Sequence, residues 1–226
     1  MKSRPAVSGI FLASGLLAFA LLAACAAPEP APEPEPAPAP EPPAAAPVTS
    51  AVMRVAEFEH LTTPRVDLSN EADGESPLRR ACPESQENCQ VYWAYTGNWM
   101  RNTILPLRHR ELLILRTAWL SRGDYIWGRH DEIGKEAGLS AEEIARVTQG
   151  PDAAGWSDFE ATLLRVADEL HTTRFVSDAT WSALGAEYNA DEQREAVQIV
   201  GSYTQLAMFQ NTLGVPLPEG YMGLPD

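Results

Sequence analysis

Glu111 and His130 are the two residues of this chain whose types and spacing could do chemistry: a carboxylate and an imidazole, one on each side of a short glycine-containing break. A carboxylate that holds one ring nitrogen leaves the other free to take or give a proton. Burial lowers a histidine's pKa and an adjacent carboxylate raises it, so the pairing suits a group that exchanges protons near neutrality. The same two residues would equally make a core histidine satisfied by Glu111 or by a backbone carbonyl.

Two helices have to bring the pair together. From Leu107 to Leu120, Leu112, Leu113, Ile114, Leu115, Ala118, Trp119 and Leu120 are spread around the whole helical circumference, the pattern of a helix buried on most sides. A carboxylate at its head is therefore expected to be partly desolvated. Ser121-Arg-Gly-Asp124 breaks the pattern, with Gly123 expected to take the left-handed helix-ending conformation and Asp124 to cap the next helix. In that second helix, Tyr125 to Ala137, the residues Ile126, Trp127, Ile133, Gly134 and Ala137 form one apolar stripe with His130 in its middle. At about 1.5 Å per residue, Glu111 lies roughly 15 Å before the turn and His130 roughly 9 Å after it, an offset that long side chains span. Around His130, Tyr125 could donate a hydrogen bond, Trp127 line a pocket and Arg129 hold a substrate carboxylate. Core aromatics and a solvated charge are the competing readings of the three.

The strings Arg110-Glu-Leu-Leu-Ile-Leu-Arg116, Tyr125-Ile-Trp-Gly-Arg-His130 and Gly138-Leu-Ser140 resemble the carboxymuconolactone decarboxylase and alkylhydroperoxidase D family. Trp156, Ala167-Asp-Glu-Leu170, Val176-Ser-Asp178, Trp181 and Gly201-Ser-Tyr203 through Asn211 continue the pattern in order, so the resemblance spans most of residues 105–217. It implies an all-α, alkylhydroperoxidase D-like domain around a central antiparallel helix hairpin, assembled as a homo-oligomer, trimeric or hexameric. The peroxidase branch carries a Cys-x-x-Cys pair before the histidine. Those two positions here are Gly123 and Ile126, and neither forms a thiolate. The resemblance therefore points to the decarboxylase branch, with His130 as catalytic proton carrier, Glu111 tuning it, no cofactor and a small lactone or keto carboxylic acid as substrate. A thiol peroxidase and a non-catalytic binding protein are the alternatives.

The chain begins with Lys2 and Arg4, the apolar stretch Gly9 to Ala24, and Leu22-Ala-Ala-Cys25. This resembles a bacterial lipoprotein signal, with residues 1–24 removed and Cys25 lipidated. The apolar run is short for a membrane span. Ala26, rather than an aspartate, after the cysteine points by the same resemblance to the periplasmic face of the outer membrane. Residues 25–47 are almost entirely Ala, Pro and Glu, a composition that forms an extended tether reaching about 70 Å at most. The remainder divides into a lead-in, 48–104, and a core, 105–226, expected to fold as one unit.

Removing residues 1–24 discards two of the 17 basic residues and none of the 31 acidic ones. Such acidity argues against a nucleic-acid partner and leaves a small molecule as the expected ligand. In an oxidising compartment Cys82 and Cys89 are expected to pair, closing a short ring that contributes about 2 kcal/mol; a displaced redox pair is the alternative. No metal-ligating set is read among His60, His109 and His171: no two-histidine spacing beside a carboxylate occurs at helical intervals, and His109 reads as a surface residue. Ser140-x-x-Glu143, Ser157-x-x-Glu160 and Asn189-x-x-Glu192 read as helix starts. No strand-like alternation occurs, so the expected fold class is all-α.

Overall fold

Leu112, Leu113, Ile114 and Leu115 are four consecutive residues with no exposed surface at all. A helix can bury four successive side chains only if neighbours surround it, and this one is the axis of the fold. The computed structural model describes residues 54–70 and 76–225; the expected signal, Cys25 and the tether lie outside them. Every regular element among the described residues is a helix: α1 (Pro77–Ala81), α2 (Glu87–Arg101), α3 (Leu107–Leu120), α4 (Asp124–Glu136), α5 (Ala141–Val147), α6 (Asp158–Thr173), α7 (Asp178–Leu184) and α8 (Ala190–Leu213). Helices α4, α6 and α8 pack around α3, with α5 across its flank. The stripes of α6 (Phe159, Leu163, Val166, Ala167) and α8 (Ala196, Ile199, Val200, Tyr203) close the core from two sides.

Local chemistry fixes the helix starts. Ser140, Ser157 and Asn189 each form a complete capping box with Glu143, Glu160 and Glu192, so two otherwise orphaned amides are satisfied at each start. The α3–α4 turn departs from expectation. Arg122, not Gly123, takes the left-handed conformation (φ 54°), and the Gly123 amide donates to the Ala118 carbonyl at 2.8 Å, closing a Schellman motif. Gly123 sits in a tight place: a Cβ there would lie 3.2 Å from both the Gln210 amide and Ile126. Asp124 does not cap α4 with its side chain. Its Oδ1 accepts the Leu224 amide at 2.7 Å and so fastens the C-terminal segment onto α4. That segment runs close over Gly128, where a Cβ would stand 2.6 Å from the Met222 carbonyl.

His109 is also not a free surface residue. Its Nδ1 lies 2.9 Å from the Tyr188 hydroxyl and its ring packs 5.3 Å from Phe159, in a half-buried aromatic cluster between α3, α6 and the start of α8. The α3 face carrying His109 meets α6, which sequence spacing relative to Glu111 alone does not reveal.

Candidate functional site

Helix α3 presents Glu111 and α4 presents His130, and the hairpin folds them into contact: His130 Nδ1 lies 2.6 Å from Glu111 Oε2. The other carboxylate oxygen, Oε1, accepts from Arg110 Nε at 2.6 Å. Arg110 in turn donates through Nη1 to the Trp99 and Met100 carbonyls at the end of α2, both at 3.3 Å. Glu111 is fully enclosed, and Arg110 and His130 are 3 % and 5 % exposed. Burial alone would push the Glu111 carboxyl up; the charges and hydrogen bonds of His130 and Arg110 outweigh it and hold the group below its usual value. An ionised carboxylate only accepts, so Nδ1 carries the proton and the unshared pair of the neutral ring sits on Nε2. Arg110 is the member of this chain of three that the sequence reading missed; an arginine next to a glutamate on an all-round apolar helix was its signal.

His130 lines a cavity of about 260 Å³, near the small end of the range for ligand sites. Its other walls come from Ser76, Leu78 and Arg79 at α1, Trp93, Thr96, Gly97 and Met100 on α2, Tyr125, Ile126 and Arg129 on α4, and Ser202, Tyr203 and Leu206 on α8. The Tyr203 ring stands edge-on to the imidazole with centroids 5.0 Å apart, and its hydroxyl donates to Met100 Sδ at 3.3 Å. Burial, helped by the Glu111 charge, pushes the Tyr203 phenol well above its usual range, so it stays a neutral donor.

Tyr125 reaches the cavity and pairs its hydroxyl with Ser76 Oγ at 2.8 Å. Arg129 stands exposed at the cavity, its Nη1 donating to the Tyr221 hydroxyl at 2.5 Å with the guanidinium 5.7 Å from that ring. Trp127 is a correction. It is 4 % exposed and lines a different cavity, with Asp131, Lys135 and the C-terminal segment. At 100° per residue, Tyr125, Ile126, Arg129 and His130 share one side of α4, while Trp127, Asp131 and Lys135 turn to the other.

Cys82 and Cys89 are joined, with Cα atoms 5.4 Å apart and both residues buried. The bond ties the C-terminus of α1 to the first turn of α2, and Trp93 Nε1 donates to the Cys82 carbonyl at 2.7 Å. Neither sulfur lines the His130 cavity, but both helices it links do. Replacing both cysteines by serine is expected to cost about 2 kcal/mol in a urea titration, the loop-closure value for so short a ring.

Residues 87–169 match the carboxymuconolactone decarboxylase family, a span that includes Glu111 and His130. No curated protein matches the chain significantly. Among solved structures, a protein of unknown function from Agrobacterium tumefaciens, named as a candidate antioxidant-defence protein AhpD, superposes with a TM-score of 0.54 at 18 % identity. That match covers 62 % of this chain and 94 % of the other. An uncharacterised peroxidase-related protein from Ralstonia eutropha, with an alkylhydroperoxidase AhpD core, gives 0.55 at 16 % identity over 69 % and 93 % of the two chains. Residues 87–169 thus carry the sequence pattern of the carboxymuconolactone decarboxylase family, and the helical fold is like that of the two AhpD-like structures.

Proposed function

We propose that this chain is a cofactor-free acid/base enzyme of the decarboxylase type, acting on a small lactone or keto carboxylic acid. One observation carries the reading: a buried, ionised Glu111 fixes His130 Nδ1 as a donor and leaves Nε2 as the proton-carrying atom of a histidine that lines a cavity. In decarboxylation of a β-keto acid the electrons of the breaking C–C bond pass into an enolate as CO₂ leaves. Protonated His130 then delivers its Nε2 proton to that carbon, and Glu111 stabilises the imidazolium that exists before the transfer. Arg129, and Arg79 opposite on α1, supply positive charge for the substrate carboxylate. Tyr125 and Ser76 offer hydroxyl donors to a carbonyl.

The peroxidase reading has less support, because Gly123 and Ile126 stand where its thiols would be. The test is turnover of a panel of lactones and β-keto acids beside a panel of hydroperoxides, with wild type against His130→Ala. Carboxylic-acid turnover that disappears in the variant supports the proposal. Thiol-dependent peroxide turnover that survives in it and disappears in Cys89→Ser would move the chemistry to the disulfide. Silence on both panels would favour a binding role.

The proposal takes Cys25 as the lipid attachment point and the periplasmic face of the outer membrane as the working location, on the strength of the N-terminal sequence alone. Wild type is expected in the membrane fraction and Cys25→Ser outside the outer membrane. Equal fractionation of the two would refute the anchor.

A further inference from the structure

We propose, on the footing of the acid/base function above, that Tyr221 is a positioning residue: from the segment that follows α8 it orients Arg129 at the His130 cavity, where the guanidinium selects a ligand carboxylate. Arg129 lines the cavity and stands exposed on α4, one residue before His130. An unrestrained arginine in such a place samples many rotamers, and a ligand that binds it has to fix them. Here Nη1 donates to the Tyr221 hydroxyl at 2.5 Å, and the guanidinium lies 5.7 Å from the centre of that ring. The two contacts hold the head group before any ligand arrives.

The segment is shaped to bring Tyr221 there. Glu219 and Gly220 form a turn in which the Tyr221 amide donates to the Pro218 carbonyl at 3.3 Å, and Gly220 takes a φ of 87°, open to glycine at no steric cost. Beyond the turn the backbone lies directly on α4. A Cβ on the buried Gly128 would stand 2.6 Å from the Met222 carbonyl oxygen and 3.2 Å from Tyr221 Cβ. One on Gly223 would stand 2.8 Å from Asp124 Oδ1, the atom that accepts the Leu224 amide at 2.7 Å and sets the register of the segment along the helix. Gly128 directly precedes Arg129, so a chain seated over the glycine carries the Tyr221 side chain to the arginine.

The chemistry of the partner matters as much as its place. A phenol hydroxyl accepts an arginine N–H without neutralising the cation, whereas a carboxylate in the same position would compete with the ligand. Among the described residues no carboxylate forms an ion pair with Arg129; Arg79, the other arginine at the cavity, is paired with Glu84. Arg129 therefore meets a ligand oriented, with its charge uncompensated.

The test is calorimetric binding of pyruvate and levulinate, keto acids that do not lose CO₂ through an enolate, each beside its carboxamide, to the full-length chain. Wild type is expected to bind at least one acid more tightly than its amide, and Arg129→Ala to bind the two alike. Tyr221→Phe keeps the ring and removes the hydroxyl. It should weaken the acid about 3- to 10-fold, the equivalent of one net hydrogen bond, while the amide and the melting curve stay near wild type. Gly128→Ala, whose Cβ displaces the segment, should weaken the acid at least as much and again spare the amide. Wild-type acid binding in either variant, or equal loss of acid and amide, would overturn the proposal and leave Arg129 as the carboxylate site. An acid preference that is absent from wild type, or that survives in Arg129→Ala, would remove the role of Arg129 and the proposal with it. Turnover is not measured in this experiment, so failure of the decarboxylase function appears separately, on the lactone and β-keto acid panel.

Discussion

Glu111→Gln is expected to abolish as much turnover as His130→Ala, about 10²- to 10⁴-fold in kcat, the usual contribution of a positioned proton carrier. The reason is a forced tautomer. Arg110 only donates, so the glutamine carbonyl must turn to Arg110 Nε and its NH₂ to His130 Nδ1. Nδ1 then has to accept, so the ring is held neutral with its proton on Nε2, and the imidazolium that delivers the proton loses both its carboxylate partner and the Nδ1–H bond that goes with it. Because both substitutions disable one unit, the double variant should be no worse than either single one. The same change bears on stability. Glu111→Ala leaves the buried Arg110 guanidinium without its counter-ion and should destabilise the fold by about 3–5 kcal/mol.

Acid titration checks the electrostatics independently of any substrate. The folded-state pKa of Glu111 lies below its ordinary value, so its stabilising contribution is complete above the ordinary carboxylate range. It is lost as pH falls through the lower, folded-state value. Urea midpoints of wild type should therefore fall on acidification by more than those of Glu111→Gln. Wild-type turnover by Glu111→Gln on any substrate that His130→Ala fails to turn over would sink the proton-transfer reading.

Arg116→Met is expected to cost about 3–5 kcal/mol without touching the cavity. Arg116 donates through Nε to Asp168 Oδ1 at 2.6 Å and through Nη2 to Oδ2 at 3.2 Å. Its Nη1 reaches the Val147 and Thr148 carbonyls, at 2.8 and 2.9 Å, where α5 ends. One side chain, 2 % exposed, thus ties α3 to α6 and satisfies the C-terminus of α5. Burial already pushes the Asp168 carboxyl above its ordinary value even beside Arg116, so deleting the guanidinium leaves a charge that the interior does not tolerate. The loss should be larger at pH 7 than at pH 5, where Asp168 can take a proton instead. Arg116→Met with Asp168→Leu should recover much of the loss, since an apolar pair of similar volume replaces a buried ion pair at little net cost. A double variant as unstable as the single one would place the energy in the α5 carbonyl contacts rather than in the ion pair.

Much of this molecule is local in origin and was legible in the residues. Three capping boxes set three helix starts because each uses groups only three positions apart. The all-round apolar pattern of residues 112–120 required a central helix, and the stripe around His130 required an inward-facing imidazole. The short Ser121–Asp124 break put Glu111 and His130 within reach of each other, with a backbone carbonyl as the other partner open to the imidazole. Sequence by itself therefore determined an all-α fold, its central hairpin and the two residues that could pair; the 2.6 Å contact between them was decided by the packing of α3 on α4. Which residue of the turn takes the left-handed conformation was not determined locally. Arg122 takes it, with the Arg122 and Gly123 amides donating to the Trp119 and Ala118 carbonyls.

The cavity was likewise a tertiary decision. A five-residue α1, pinned by the Cys82–Cys89 bond, and an α2 with only Cys89 and Trp99 buried carry no periodic signal strong enough to mark a wall, yet they bring Ser76, Arg79, Trp93 and Met100 to His130. Trp127 turned away because it lies roughly 130° around α4 from the mean direction of Tyr125, Ile126, Arg129 and His130, on the side that faces the C-terminal segment. The pairing of charge and proton carrier is written in spacing along the chain; the space in which it acts depends on long-range packing, which spacing does not encode.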